Sequence, residues 1–232
     1  MTIKLVAEFG SSPAPDWDFD LWCSAAAQSG ATSCKAQLFR AEHFPLVEHA
    51  SKHALEFPRA RLPEFVAAAH VRGLGCGVSV FDAEAVELAA RHCDWLKLAA
   101  REQDNTPLAK RTFEFAWSHG RKPIIRSISV LNSDSFFCAG TVIHLYAMQR
   151  YPSPMAQALV NVVRTARFFR GWPYIAGWGW SSHTTGLLDC ILAARLGASV
   201  IEKHLCILSS DLEASHSLMP EKFAVLSRII RG

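Results

Sequence analysis

Eight short apolar runs of strand length recur along the chain: Ile3 to Phe9, Ser33 to Phe39, Gly75 to Phe81, Trp95 to Ala99, Pro123 to Ser127, Val142 to Met148, Tyr174 to Trp178 and Ser199 to Leu205. Between them lie amphipathic stretches of helix length at Phe19 to Ser29, Pro63 to Arg72, Ala83 to His92, Thr106 to His119, Met155 to Phe169 and Leu187 to Leu196, and Pro220 to Arg231 closes the chain. Strands alternating with helices predict a parallel sheet, and eight such units close most naturally into a single (β/α)8 barrel, the TIM barrel. Gly30, Gly73, Gly120, Gly171 and Gly197 fall between a helix and the next strand, where a left-handed C-cap is expected. The fifth unit has only a stub of helix at Asn132 to Ala139, and Ser11 to Pro15 reads as a loop after the first strand.

Strand parity then finds polar groups where a purely structural barrel would not place them. In the second strand Ser33, Lys35 and Gln37 share one face, opposite Cys34, Ala36 and Leu38, so the polar set points into the barrel. Lys97 alternates with Leu96 and Leu98, Glu202 and His204 alternate with Ile201 and Lys203, and Glu8 shares the parity of Lys4 and Val6. An interior charge is costly unless it is paired or bound. Each of these residues taken singly is equally an ion pair of the wall or a surface residue; together, near one mouth, they point to an anionic ligand and a cation. His183 follows the seventh strand and His204 ends the eighth, so both imidazoles can reach one divalent ion across neighbouring strands. By themselves two histidines are more often hydrogen-bonded wall residues than ligands, and the other eight show no ligand spacing.

Composition narrows the class. The 232 residues are half apolar, which allows one large core, and the formal net charge of +3 comes without a basic run dense enough to track a phosphate backbone. Nucleic acid is therefore excluded as a partner. The seven cysteines, an odd number without a CxxC pair, read as reduced and mostly buried thiols. The opening MTIKLVAEFG is too short for a signal peptide, and no run approaches the roughly 20 apolar residues of a membrane span, so the expectation is a cytoplasmic protein without membrane contact.

At these positions the chain resembles the sialic acid synthase (N-acetylneuraminate synthase) family, whose members condense phosphoenolpyruvate with N-acetylmannosamine or a related sugar. Val6-Ala7-Glu8-Phe9-Gly10, Cys34-Lys35-Ala36-Gln37-Leu38-Phe39, Ser79-Val80-Phe81-Asp82 and Trp95-Leu96-Lys97-Leu98 with Asn105 and Pro107-Leu108 resemble its first four strands and their turns. Gly120 to Ser127 resembles the fifth, and Tyr151-Pro152-Ser153-Pro154 a tetrapeptide after the sixth. The most specific block is Ser181-Ser182-His183-Thr184 followed by Ala193 to His204, which follows the family's Ser-Asp-His-Thr and Leu-Gly-Ala-x-Val-Ile-Glu-Lys-His in order and spacing.

The resemblance implies a phosphoenolpyruvate-dependent transferase forming a carbon–carbon bond to give a sialic acid or other nonulosonate. It implies that His183 and His204 hold a divalent metal, manganese first, with magnesium or cobalt as alternatives. It implies that Lys35, Ser79, Lys97, Ser127, Gln149, Tyr151 and Ser181 bind phosphoenolpyruvate, and that Glu8, Glu102 and Asp211 lie near the sugar or the proton transfers, with Lys35 and Lys97 also in the catalytic set. The substrates are then phosphoenolpyruvate and an amino sugar, and the family admits a homodimer. The chain departs from the family pattern at Ser11 to Pro15, at Ala100-Arg101-Glu102 for Ser-Gly-Glu, at Ser127-Ile128-Ser129-Val130 for Ser-Thr-Gly-Met, and at Ser182 for the Asp before the metal histidine. It also ends at Gly232, so residues 1–232 are expected to be the barrel alone, without the family's C-terminal antifreeze-like domain. A drifted barrel that binds an anionic or sugar ligand without condensing it is the alternative these departures favour.

Overall fold

Side-chain caps start the helices where the sequence changes period. In the computed structural model, which describes residues 3–10, 17–131, 142–172 and 175–232, Asp18 accepts from the Leu21 amide at 2.9 Å, Asp82 from Ala85 at 2.8 Å and Asn105 from Leu108 at 3.1 Å. These caps open α1 (Phe19–Gln28), α4 (Ala83–His92) and α5 (Thr106–Ser118). The other helices are a short α2 (His49–His53), α3 (Leu62–Val71), α6 (Met155–Arg170), α7 (Leu188–Arg195) and α8 (Pro220–Arg231). Among the described residues no helix is long and apolar enough to cross a membrane.

The strands are β1 (Lys4–Glu8), β2 (Ser33–Leu38), β3 (Gly75–Val80), β4 (Trp95–Leu98), β5 (Ile124–Ile128), β6 (Val142–Ala147), β7 (Gly177–Ser182) and β8 (Val200–His204). All pair in parallel in sequence order, and β8 pairs back onto β1, closing a (β/α)8 TIM barrel. The strand parity read from the sequence holds. Leu5, Ala7, Cys34, Ala36, Leu38, Leu96 and Leu98 face the helices in the larger apolar layer, while Val6, Trp95, Ile125, Leu145 and Val200 fill the floor of the barrel. Each fully buried Leu, Phe or Trp in these layers contributes about 1.5–3 kcal/mol by removing its apolar surface from water.

Four expectations need correction or fall outside the described residues. The seventh strand starts at Gly177 rather than at Tyr174, and runs to Ser182. The glycines that obscure it in the sequence are required by the interior: a Cβ on Gly179 would meet Leu145 Cδ1 at 2.5 Å and the Val200 carbonyl at 2.6 Å. Gly171 ends α6 at φ −81°, so it needs no left-handed cap, unlike Gly30, Gly73, Gly120 and Gly197. The helical stub at Asn132 to Ala139, the loop from Ser11 to Pro15, and Tyr174 lie outside the described residues.

Candidate active site

The polar inward positions of six strands meet above the apolar floor. Register places Glu8 beside Lys35 and His204, Ser79 beside Lys97, and Ser181 beside Glu202. Lys35 pairs with Glu8, donates to Ser79 Oγ at 2.7 Å and lies 3.7 Å from Glu202 Oε2. Lys97 donates to Glu202 Oε1 at 2.5 Å, and Ser181 Oγ donates to the same oxygen at 2.8 Å. Glu8 Oε1 is also held by the Gly10 amide at 2.7 Å and Gln37 Nε2 at 3.1 Å. The two lysines and two glutamates are each no more than 5% exposed, so they form one buried, charge-balanced network.

Burial opposes each charge, and the neighbours decide the outcome. For Lys35 burial is outweighed by Glu202 and Glu8, which hold its pKa above the ordinary value. For Lys97 burial wins over Glu202, with Lys35 adding to the same effect, and its pKa falls. Burial also disfavours the Glu202 carboxylate, but Lys35 and Lys97 hold its pKa well below the usual range. The Ser127 hydroxyl is buried with no hydrogen-bond partner among the described residues, as are Glu202 Oε2 and Glu8 Oε2, the latter ion-paired with Lys35. An unsatisfied buried hydroxyl facing a cavity is poised for a ligand.

The second half of the site follows β7 and β8. His183 Nδ1 donates to the Met148 carbonyl at 2.7 Å, which leaves Nε2 as the lone-pair nitrogen, 3.4 Å from Ser181 Oγ. The orienting acceptor that Ser182 does not provide is thus supplied by backbone. His204 Nδ1 donates to Glu213 Oε2 at 2.7 Å, again turning Nε2 outward. The His183 and His204 ring centroids lie 5.3 Å apart, and His216 is 4.7 Å from His204. Burial and then His204 depress His183 well below the ordinary histidine value, and the same causes bring His216 to about 4. Imidazoles with Nδ1 tied back, as in His183 and His204, present Nε2 to a divalent cation. His204, Glu213 and His216 also place one ligand atom each within 4.8 Å of one another.

These groups line one cavity of about 380 Å³ at the C-terminal mouth, a size suited to small molecules. Of the residues expected from the sequence, Glu8, Lys35, Ser79, Lys97, Ser127, Gln149, Tyr151, Ser181, His183 and His204 all line it. Glu102 and Asp211 do not. Glu102 accepts from Asn105 Nδ2 at 2.8 Å, and Asp211 Oδ2 accepts from the Ile207 and Leu208 amides at 3.2 and 3.3 Å, each closing a local turn. Sequence reading missed Glu213 and His216, a Glu-x-x-His pair just beyond β8. The 3-10 turn at Ala214–His216 brings positions three apart onto one side, so the spacing itself was the signal.

The sequence profile of the NeuB family matches residues 22–232. A pseudaminic acid synthase of Helicobacter pylori is 30% identical over 161 residues, covering 65% of this chain and 44% of that protein. An uncharacterized protein of Methanocaldococcus jannaschii is 32% identical over 92 residues, 39% of this chain and 26% of that protein. The chain therefore matches less than half the length of either relative. An N-acetylneuraminic acid (sialic acid) synthetase structure from Leptospira borgpetersenii serovar Hardjo-bovis superposes with a TM-score of 0.88 at 19% identity, over 100% of this chain and 83% of that one. At that identity the likeness establishes the fold.

Proposed function

The chain belongs to the NeuB family, and from that premise we propose that it condenses phosphoenolpyruvate with a sugar aldehyde, N-acetylmannosamine or a relative, to give a sialic acid or other nonulosonate. The observation that carries this reading is the meeting, in one cavity, of the buried Lys35–Glu8 and Lys97–Glu202 network with the imidazoles of His183 and His204, each held through Nδ1. In this reading C3 of phosphoenolpyruvate attacks the aldehyde carbon, water adds at C2, and phosphate leaves with cleavage of its C–O bond.

Lys35 and Lys97 neutralise the phosphoenolpyruvate anion, with Ser79, Ser127 and Ser181 as hydroxyl donors and Gln149 and Tyr151 at the wall. The partnerless Ser127 hydroxyl is the donor freest to turn to the ligand. His183 and His204 would hold a divalent metal, manganese with magnesium or cobalt as alternatives, which when bound polarises the aldehyde oxygen. Glu213 orients His204, and Glu8, in contact with Lys35 and beside His204 in register, is the carboxylate best placed for proton handling. Anchoring both substrates in one closed barrel supplies much of the rate. The described cysteines are free and buried, which fits a reducing, cytoplasmic setting.

The test is calorimetric titration of phosphoenolpyruvate, followed by phosphate release with manganese and a panel of aldehydes. Release that requires both metal and aldehyde is the expected result. Binding without release by any aldehyde would leave the drifted, ligand-binding barrel in its place, and no binding at millimolar phosphoenolpyruvate would overturn both.

A further inference from the structure

Lys203 lies behind the barrel wall. It alternates with Glu202 and His204 along β8, so its side chain enters the apolar layer between strands and helices, where it is fully buried. There its ammonium donates to Ser182 Oγ at 3.1 Å and to the Thr184 carbonyl at 2.5 Å. Asp189 on α7 is the counter-charge and is equally buried, with Oδ1 accepting from the Thr184 hydroxyl at 3.0 Å and Oδ2 from the Trp180 indole at 2.8 Å. Ser182 Oγ and Thr184 Oγ1 lie 3.4 Å apart, so the two charges are joined through hydroxyls. A buried cation and a buried anion are each costly, and neither of these lines the cavity.

What the two charges hold is the backbone on both sides of one imidazole. Ser182 and Thr184 flank His183, and register places Ser182 beside Lys203. The His183 carbonyl accepts from the Ser153 amide at 2.8 Å, and its Nδ1 donates to the Met148 carbonyl at 2.7 Å. The two histidines differ in what fixes their backbone. His204 belongs to β8 and takes its direction from the strand ladder. His183 follows the last residue of β7, beyond the ladder, so its direction depends on side chains that reach it from behind.

We propose that Lys203 and Asp189 are positioning residues for His183: a buried cation and anion that fix residues 182–184 and so aim His183 Nε2 at the divalent metal. This rests on the metal assignment in the reading above and adds to it two residues that touch neither metal nor substrate. A ring held in place beforehand does not have to be ordered when the ion binds. Removing groups that orient a metal ligand typically lowers metal affinity by about 10–100-fold.

Manganese alone is the probe, titrated by calorimetry into wild type, Lys203→Met, Asp189→Asn, Thr184→Val and Thr184→Ser, with denaturant unfolding measured in parallel. Manganese affinity should fall by roughly tenfold or more in Lys203→Met and Asp189→Asn, and by roughly threefold or more in Thr184→Val, recovering in Thr184→Ser, which keeps the hydroxyl. Phosphoenolpyruvate affinity in the absence of metal should stay within about twofold of wild type, and cobalt at saturation should show a shifted visible band in Lys203→Met. In a His183→Ala background, Lys203→Met should cost less than about twofold, because the effect runs through that ring. Lower stability with unchanged manganese affinity would make the two charges merely structural and overturn the proposal, as would an undiminished loss in the His183→Ala background. Should the charge variants not fold, the Thr184 variants decide, and failure of Thr184→Ser to recover what Thr184→Val loses would overturn it. Unchanged manganese affinity in His183→Ala itself would instead remove the metal assignment, and the positioning role with it.

Discussion

The two ends of the barrel interior use the same alternation of residues for opposite purposes. At the floor, Val6, Trp95, Ile125, Leu145 and Val200 meet in a closed apolar layer. One step further along the same strand faces, two residues on, Glu8, Lys97, Ser127 and Glu202 stand in the same inward orientation above it. The floor gains stability from area removed from water. The mouth holds charges whose burial is compensated by one another, and leaves a cavity. Stability and chemistry are therefore separable along the barrel axis, which substitutions at the two levels can test.

The largest effect is expected at the floor. Trp95→Ala removes a side chain that is 1% exposed and should lower the unfolding free energy by about 3–5 kcal/mol in denaturant titrations. Phosphoenolpyruvate affinity of the remaining folded protein should change less than twofold. A comparable loss of affinity would mean that floor and mouth are coupled. At the mouth the pattern reverses: Lys97→Ala should weaken phosphoenolpyruvate binding by about 2–5 kcal/mol, measured by calorimetry, because it removes a cation from a buried anion site. His183→Ala or His204→Ala should each lower manganese affinity at least tenfold, about 1.4 kcal/mol, and unchanged affinity in both would remove the metal site.

The smallest effect concerns the rim brace and acid pH. Burial tends to raise the Asp82 carboxyl, but the hydrogen bonds from Arg59 and the Ala85 amide hold it below the ordinary value. A depressed carboxylate stabilises the fold above its unfolded pKa, roughly 3.9, and this contribution is lost as pH falls through the lower folded value. Arg59→Met should therefore cost more at pH 7 than at pH 2. The difference should be about 1 kcal/mol, because Asp82 is partly solvated. A penalty independent of pH would assign the role of Arg59 to packing.

Much of this site was legible in the chain itself. Parity in β2, β4 and β8 was enough to turn Lys35, Lys97, Glu202 and His204 inward, because a closed parallel barrel has one inside and strand side chains alternate strictly. The resemblance then located Ser79, Ser127, Ser181 and His183 at strand ends. Glu102 and Asp211 fall outside the cavity lining because they sit in loops, where neither period nor parity constrains direction, and each is taken up by a nearby donor.

What the sequence alone determined is the barrel and the inward set, since both follow from local periodicity repeated eight times. Tertiary structure decided the rest. It decided that β7 begins at Gly177, because only the approach of Leu145 and Val200 makes glycine necessary at 179. It decided that Glu213 orients His204 and that His216 joins the imidazoles, because a one-turn 3-10 segment folds both back over β8. It decided that Lys52 and Arg101, 49 positions apart in number, both stack on the Phe44 ring. Such contacts depend on how loops from different strands close over one mouth, and no periodicity in the chain encodes that closure.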